Sequence, residues 1–300
     1  MMTRIALHKN GPELSPLIAG YWRLRQWDFN TEDLIRFIEQ HLELGISSVD
    51  HAWVYQSEKI FGQALKQAPE LRRQLQIISK CGIKPPGDSP LHARHYAHYS
   101  SQKTTIIASC EQSLRDLETD QLDIMLLHRP DYLMAVDEVA EAFALLHAAG
   151  KVKYFGLSNF NCAQFELLQS RLDYPLVCNQ IEFSPWQLDA LESGILEQSQ
   201  LNKTSIMAWS CLGGGELLAG KSEKSQRLIT ALTEVQTDIG ATDINQIVYA
   251  WILKHPCQIL PLLGSHKIRR YQSACAALNL SMSHEQWYSI WQASVGHGVV

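Results

Sequence analysis

The chain alternates between short apolar runs and longer amphipathic segments along its whole length. The apolar runs have the length of buried strands, and the segments between them repeat apolar residues at helical spacing. We predict eight strands, over residues 16–21, 46–50, 75–80, 122–128, 152–158, 175–183, 204–210 and 258–264. We predict helices over residues 31–45, 57–67, 104–120, 136–150, 161–172, 222–240, 244–255, 267–280 and 283–294, with a further segment over 190–201. Thr31, Ser57 and Asn161 are the predicted N-caps.

Eight strand–helix units predict a (β/α)8 TIM barrel. Nearly all-apolar strands fit this fold, because both faces of each strand are covered. Residues 1–300 form one domain in this interpretation, since no linker or change of composition divides the chain. A doubly wound open sheet is the alternative, but it would need a glycine-rich turn after the first strand, where the sequence reads GYWRLRQW.

Composition limits the binding partners and the cellular compartment that we expect for the protein. The formal net charge of -5 comes from interspersed acidic and basic residues, so we expect no nucleic-acid and no anionic-membrane partner. The first residues lack the apolar core of a signal peptide, and no apolar run reaches the ~18 residues of a membrane span. The 7 cysteines contain no C-x-x-C pair, which indicates free thiols in a reducing compartment. We therefore expect a cytoplasmic protein, and a monomer.

Four polar residues mark the ends of consecutive predicted strands. Asp50, Lys80 and His128 end the second, third and fourth strands, and Tyr55 follows the second. Residues at the carboxyl ends of barrel strands face the active site. A phenol titrates near ~10, but a neighbouring ammonium favours the phenolate and lowers that pKa. A carboxylate would hold the ammonium in place, and a histidine would orient the substrate carbonyl. Together these groups could protonate a carbonyl oxygen.

The motifs around these residues resemble those of the aldo-keto reductase family, in the family's order across nearly the whole chain. They are D-x4-Y from Asp50 to Tyr55 with the following QSE, ISK at Lys80, LLHRPD around His128, GLSNF at Ser158, NQIEFSP at Gln180, and IMAWSCLGGG at the seventh strand. GYWRL and LHRPDYL are similar to the bacterial oxidoreductase branch of that family.

The resemblance implies reduction of a small-molecule aldehyde or ketone with NADPH, which becomes NADP+. Tyr55 corresponds to the general acid, Lys80 to the residue that lowers its pKa, Asp50 to the partner of the lysine, and His128 to the residue that orients the carbonyl. Trp22, Trp53 and Arg129 lie beside these residues in sequence, and we place them in the substrate pocket.

The resemblance also implies a cofactor site that is not a Rossmann fold. Ser158, Asn159 and Gln180 correspond to the residues that hold the nicotinamide carboxamide. An indole at Trp209 is either a shelf for the nicotinamide ring or a plug of the core. The remaining cofactor residues are Tyr21, Trp22, Ser210, then Leu212, Gly213, Gly214 and Gly215 at the pyrophosphate, and Ser265, Lys267 and Arg270 at the adenosine 2′-phosphate.

The sequence departs from the family pattern near the adenosine. Gly264 stands where some relatives carry a lysine, and Ser273 and Ala274 stand where many carry Glu-Asn to hold the adenine. Lys267 restores positive charge from a different position.

Three other interpretations stay open. His92, His95 and His98 have a spacing that suits a metal, but three imidazoles alone do not complete a tetrahedral set, so we expect no metal and a solvated loop beside the substrate. A redox-sensing or regulatory subunit would share the fold and the cofactor site. A metal-dependent hydrolase would need H-x-H at the end of the first strand, where GYW stands.

Overall fold

In the computed structural model, which describes residues 2–86 and 96–300, eight parallel strands close into a barrel in sequence order. The last strand pairs with the first, with Leu262 opposite Ile18, so the barrel has no free edge. The (β/α)8 prediction is confirmed. The barrel strands are β1 (Ile18–Gly20), β2 (Ser48–Asp50), β3 (Gln76–Cys81), β4 (Leu122–Leu127), β5 (Val152–Ser158), β6 (Cys178–Glu182), β7 (Ser205–Trp209) and β8 (Ile259–Leu263).

Helices surround the barrel close to where helical spacing predicts them. They are α1 (Thr31–Glu43), α2 (Glu58–Gln67), α3 (Lys103–Asp116), α4 (Val136–Ala148), α5 (Cys162–Gln169), α6 (Ile195–Asn202), α7 (Glu223–Ile239), α8 (Ile244–Leu253), α9 (Ile268–Ala277) and α10 (His284–Val295).

Two of the three predicted N-cap positions are confirmed, those of Ser57 and Asn161. Asn161 caps α5 through a capping box, as expected. The cap of α1 is Asn30 rather than Thr31. The Asn30 side chain accepts a hydrogen bond from the Asp33 backbone N–H, and the Asp33 carboxylate accepts one from the Asn30 backbone N–H. Ser57 precedes α2, but its hydroxyl is buried without a hydrogen-bond partner among the described residues.

The barrel interior is an apolar cluster separate from the core between strands and helices. It contains Ile18, Ile78, Ile124, Leu126, Val177, Cys178, Met207 and Leu260, all essentially inaccessible. Leu7 and Leu14 complete this cluster from outside the barrel strands. They belong to an N-terminal hairpin that pairs Ile5–Ala6 with Glu13–Leu14. Ser205, the first residue of β7, donates to the Leu7 carbonyl, so the hairpin covers the N-terminal end of the barrel.

A second hairpin follows β3, where a solvated loop was expected. It pairs Ile83–Lys84 with His98–Tyr99. His98 lies on this hairpin and is exposed, whereas His92 and His95 fall outside the described residues. Within residues 2–86 and 96–300, no three His, Cys, Asp or Glu side chains are grouped to hold a metal ion.

The structure also describes the cysteines and the apolar character of the helices. All seven cysteines lie in the described ranges as free thiols, and five are buried. Among the described helices, none is long and apolar enough to cross a membrane.

Candidate active site

Four side chains meet at the carboxyl end of the barrel. Asp50 is the last residue of β2, Lys80 is the residue before the last in β3, and His128 follows β4 directly. Tyr55 ends a single helical turn, Trp53–Tyr55, that follows β2. Asp50 and Lys80 are both about 2% exposed, so water has little access to their charges.

Lys80 is the centre of the hydrogen-bond network. Its Nζ donates to Asp50 Oδ1 at 2.6 Å, to the His51 carbonyl at 2.8 Å and to the Tyr55 hydroxyl at 3.4 Å. An ammonium has three donors, and here each has an acceptor. The Tyr55 hydroxyl also lies 3.5 Å from His128 Nε2. The structure therefore brings the four predicted catalytic residues together, with the phenol between an ammonium and an imidazole.

The charges of this group follow from burial and pairing. Burial lowers the pKa of Lys80, but Asp50 and Tyr55 raise it, and the net result is a pKa above the ordinary value. Lys80 therefore stays an ammonium. Burial, together with the charges of Lys80 and Arg129, holds the pKa of His128 well below its usual range. His128 is therefore a neutral imidazole near pH 7.

The pKa of Tyr55 departs from the simplest expectation. Burial raises it, and although Lys80 acts in the opposite direction, the pKa stays above the ordinary value of 10. The neighbouring ammonium is evident from the sequence, whereas the cost of placing a phenolate in a buried site depends on the fold. Tyr55 thus holds its proton at neutral pH, as an acid must before it donates.

Gln180 connects Asp50 to the neighbouring polar residues. Its Nε2 donates to Asp50 Oδ2 at 2.7 Å, since a carboxylate can only accept. The amide oxygen of Gln180 is then left to accept a hydrogen bond from a ligand. Both oxygens of Asp50 are engaged, one by Lys80 and one by Gln180, which fixes the carboxylate in place.

Ser158 and Asn159 make their hydrogen bonds mainly within the protein. Ser158 Oγ donates to the Gln180 carbonyl, and Asn159 Nδ2 donates to Ser158 Oγ and to the His128 carbonyl. Asn159 Oδ1 accepts from Trp209 Nε1 at 3.2 Å. Asn159 has a φ of 63°, in the left-handed region that asparagine tolerates better than most residues. These two residues hold His128, Gln180 and Trp209 in fixed relative positions.

Trp209 is half-buried at the end of β7. This partial exposure favours an indole that can stack on a ligand ring over an indole that only fills the core. The guanidinium of Arg129 lies 5.7 Å from its ring centroid. The indole face therefore interacts with a cation in this structure.

The segment after β7 presents exposed backbone. Ser210 and Leu212 are partly buried and lead into three glycines with positive φ. A Cβ at Gly213 would lie 2.7 Å from Trp186, whereas Gly214 and Gly215 have nothing within 4 Å of that position. Gly213 is thus required by packing, and the next two glycines leave their backbone open to a ligand.

The residues expected at an adenosine phosphate lie at the start of α9. Ser265 Oγ accepts from the Lys267 backbone at 3.1 Å, and the side chains of Lys267 and Arg270 are exposed. Two cationic side chains at a helix N-terminus are unfavourable against the helix dipole unless an anion accompanies them.

The predicted residues near β1 separate into two environments. Trp22 is 59% exposed, as a residue of a pocket rim would be. The Tyr21 side chain is fully buried, its hydroxyl bonds His41 Nε2 at 2.9 Å, and its ring stacks on His51. The ring of Tyr21 therefore packs in the core, and the assignment of Tyr21 to the cofactor site stays a prediction. Trp53 is half-buried and lies under the Lys84 ammonium.

Two buried polar residues beside this group, Glu58 and Ser79, were not predicted from the sequence. Glu58 accepts a hydrogen bond from Ser79, the residue before Lys80. The QSE motif that includes Glu58 was evident in the sequence, but its contact with β3 depends on tertiary packing. The alternation of side chains in β3 was the available signal, since Ser79 must face away from Lys80.

Comparison with known proteins agrees with this geometry. The model of the aldo/keto reductase family matches residues 16–294. The chain is 47% identical to Oxidoreductase YdhF of Escherichia coli, over the whole of both chains. It is 38% identical to a 6-dehydroglucose reductase of Agrobacterium fabrum, over 99% of this chain and 100% of the other.

A solved structure has the same fold. The thermostable aldo-keto reductase Tm1743, in complex with the inhibitor epalrestat, has a TM-score of 0.81 and 25% sequence identity, over 97% of this chain and 100% of that one. The family match, the full-length relatives and the arrangement at the carboxyl end of the barrel agree: the chain belongs to the aldo-keto reductase family of oxidoreductases.

Proposed function

We propose that this protein reduces aldehydes or ketones to alcohols with NADPH, and that Tyr55 is the general acid. The observation that carries the proposal is the position of the Tyr55 hydroxyl, 3.4 Å from Lys80 Nζ and 3.5 Å from His128 Nε2. A protonated phenol beside a fixed cation can give up its proton at a much lower cost than a phenol in an apolar site.

Each of the four side chains has a separate role in the proposed proton transfer. Tyr55 donates its proton to the carbonyl oxygen as negative charge develops there. Lys80 stabilises the phenolate that remains, and Asp50 keeps Lys80 charged and oriented. His128 is a neutral imidazole, so it orients the substrate oxygen through a hydrogen bond rather than through charge.

The residues present fit a nicotinamide cofactor. The Gln180 amide oxygen, the Trp209 ring and the open backbone of Gly214 and Gly215 suit an amide, an aromatic ring and a pyrophosphate respectively. Bound NADPH would supply the hydride to the carbonyl carbon. Ser265, Lys267 and Arg270 would hold the 2′-phosphate and favour NADPH over NADH.

Relatives suggest which substrates to test first. A relative in Agrobacterium fabrum is named for reduction of 6-dehydroglucose, and it matches this chain over its full length. We therefore propose that a panel of aldehydes and ketones should include sugar-derived carbonyl compounds, with NADPH consumption as the measurement.

The Tyr55→Phe variant tests the general acid. We expect carbonyl reduction to fall by about 100-fold or more, because the phenol proton is lost, while the Kd for NADPH stays near that of the unsubstituted protein. Stopped-flow rates and fluorescence titration with NADPH give the two quantities. Turnover within a few-fold of the unsubstituted protein would contradict the role of Tyr55.

The Arg270→Ala variant tests the cofactor preference. We expect NADPH to bind about tenfold or more weakly, because an arginine bond to a phosphate is lost, while the Kd for NADH is unchanged. Arg269→Ala, on the same exposed turn of α9, is the matched control and should leave both constants unaltered. Equal affinity for the two cofactors in the unsubstituted protein would reject the NADPH preference.

A further inference from the structure

Glu58 is a buried carboxyl group outside the set described for the reaction. It is the first residue of α2 and is about 1% exposed. Its Oε1 accepts a hydrogen bond from the Ser79 hydroxyl at 2.5 Å, and its Oε2 is buried with no partner among the described residues. Burying a carboxyl group with an unpaired oxygen costs free energy, so a compensating role is expected.

The Glu58–Ser79 bond joins the two segments that carry the reacting pair. Tyr55 lies in the turn that leads directly into α2, and Ser79 precedes Lys80 in β3. Side chains alternate along a strand, so Lys80 points into the barrel towards Asp50 while Ser79 points outwards to α2. The bond therefore fixes the start of α2 to the back of β3, behind the place where Lys80 meets Tyr55.

The contact between Lys80 and Tyr55 is sensitive to such a constraint. Its 3.4 Å separation lies at the long end of a hydrogen bond, whereas the Lys80–Asp50 contact is 2.6 Å. A small displacement of the Tyr55 turn away from β3 would break the longer contact and leave the shorter one intact.

We propose that Glu58 is a positioning residue, an inference that rests on the function proposed above. Through Ser79 it sets the distance between the Lys80 ammonium and the Tyr55 phenol.

The protonation state of Glu58 suits this role. Burial raises its pKa to about 7, although the hydroxyls of Ser79 and Ser113 act in the opposite direction. Asp116 of α3 raises the pKa further, and Lys80 lowers it. Near neutral pH much of Glu58 is uncharged, so its main contribution is the hydrogen bond to Ser79.

Two substitutions separate the hydrogen bond from the charge. Ser79→Ala removes the donor without changing a charge, and Glu58→Gln removes the charge but keeps an acceptor for Ser79. Ser199→Ala is the matched control, because Ser199 of α6 is also buried and its hydroxyl donates to the backbone carbonyl of Thr204. Thermal unfolding would establish that each variant is folded.

We expect Ser79→Ala to lower kcat for carbonyl reduction by about 10-fold or more, since the proton donor is displaced, with the Kd for NADPH unchanged. The alkaline limb of its pH profile should move to higher pH, because Tyr55 loses part of the influence of Lys80. Glu58→Gln should keep a kcat close to that of the unsubstituted protein. Ser79→Ala and Ser199→Ala with the same kcat and the same pH profile would overturn the proposal.

A measurement without substrate keeps this inference separate from the proposed function. In a crystal structure of the Ser79→Ala protein, the distance from Lys80 Nζ to the Tyr55 hydroxyl should exceed the range of a hydrogen bond. An unchanged distance would refute the positioning role even if the reductase activity is established. A longer distance would support it even if no carbonyl substrate is turned over.

Discussion

At the scale of single residues, burial determines which groups near the barrel mouth carry charge. Lys80 remains charged because Asp50 offsets the cost of burial, whereas His128 is buried beside the positive charges of Lys80 and Arg129 and stays neutral. His51 shows the same effect, since burial and the Lys80 charge lower its pKa to about 3, and both of its ring nitrogens lack partners among the described residues. The Lys80–Asp50 ion pair thus supplies fixed charges next to the Tyr55 phenol, and Arg129 adds a positive charge that acts to lower the pKa of Tyr55.

The raised pKa of Glu58 predicts a dependence of stability on pH. Its pKa is about 7 in the folded protein and 4.5 ordinarily, so between these values the folded state binds more protons than the unfolded state. The free energy of unfolding should therefore fall as pH rises from about 4.5 to about 7, by up to about 3 kcal/mol from this group.

Urea denaturation at acid and alkaline pH would measure this effect. Glu58→Gln should lose the part of the pH dependence that belongs to Glu58. The control Glu234→Gln alters an exposed residue of α7 and should leave the dependence unchanged. Identical pH dependence in the Glu58 variant and the unsubstituted protein would show that Glu58 is not the group responsible.

At the scale of elements, the position of α2 against α3 depends on a glycine. A Cβ at Gly62 would lie 2.0 Å from the Asp116 carbonyl oxygen and 2.8 Å from the Leu117 carbonyl carbon. These are backbone atoms that cannot move as a flexible side chain can. The close approach of the two helices also places Glu58, at the start of α2, next to β3.

The Gly62→Ala variant should therefore be destabilised. We expect the free energy of unfolding to fall by about 1–3 kcal/mol, as for other overpacked sites, despite the better helix propensity of alanine. Gly264→Ala is the control, because nothing lies within 4 Å of a Cβ there. A Gly62 variant as stable as the Gly264 variant would show that the two helices separate at little cost.

Elements with a repeated pattern could be predicted from the sequence, and elements without one could not. The eight barrel strands and their helices are long enough for hydrophobic spacing to identify them. The two hairpins consist of two-residue strands, which are too short to show alternation.

The candidate site divides in a similar way. Asp50, Lys80 and His128 could be placed because strand ends converge in a barrel. The direction of the Tyr21 ring and the contact between Glu58 and Ser79 depend on tertiary packing, which a strand pattern does not contain. The net pKa of Tyr55 was missed because the depth of burial is a property of the folded molecule.

At the scale of the whole molecule, the barrel interior depends on residues from outside the barrel. Leu14→Ala should lower the free energy of unfolding by about 2–5 kcal/mol, because it leaves a cavity in a cluster with no exposed surface. Leu201→Ala, at an 80% exposed position, is the control and should have little effect. Chemical denaturation would measure both, and equal stability of the two variants would argue that the hairpin packs only loosely.

The barrel is closed along its axis, because inaccessible apolar side chains fill its interior and Leu7 and Leu14 of the N-terminal hairpin pack beneath them. Nothing can therefore pass through the barrel from one end to the other. Whatever enters the mouth must leave by the same opening. If two molecules bind at this end, one beneath the other, we expect the deeper one to enter first and to leave last. Release through this one end of the barrel would then limit the overall rate independently of the proposed proton transfer.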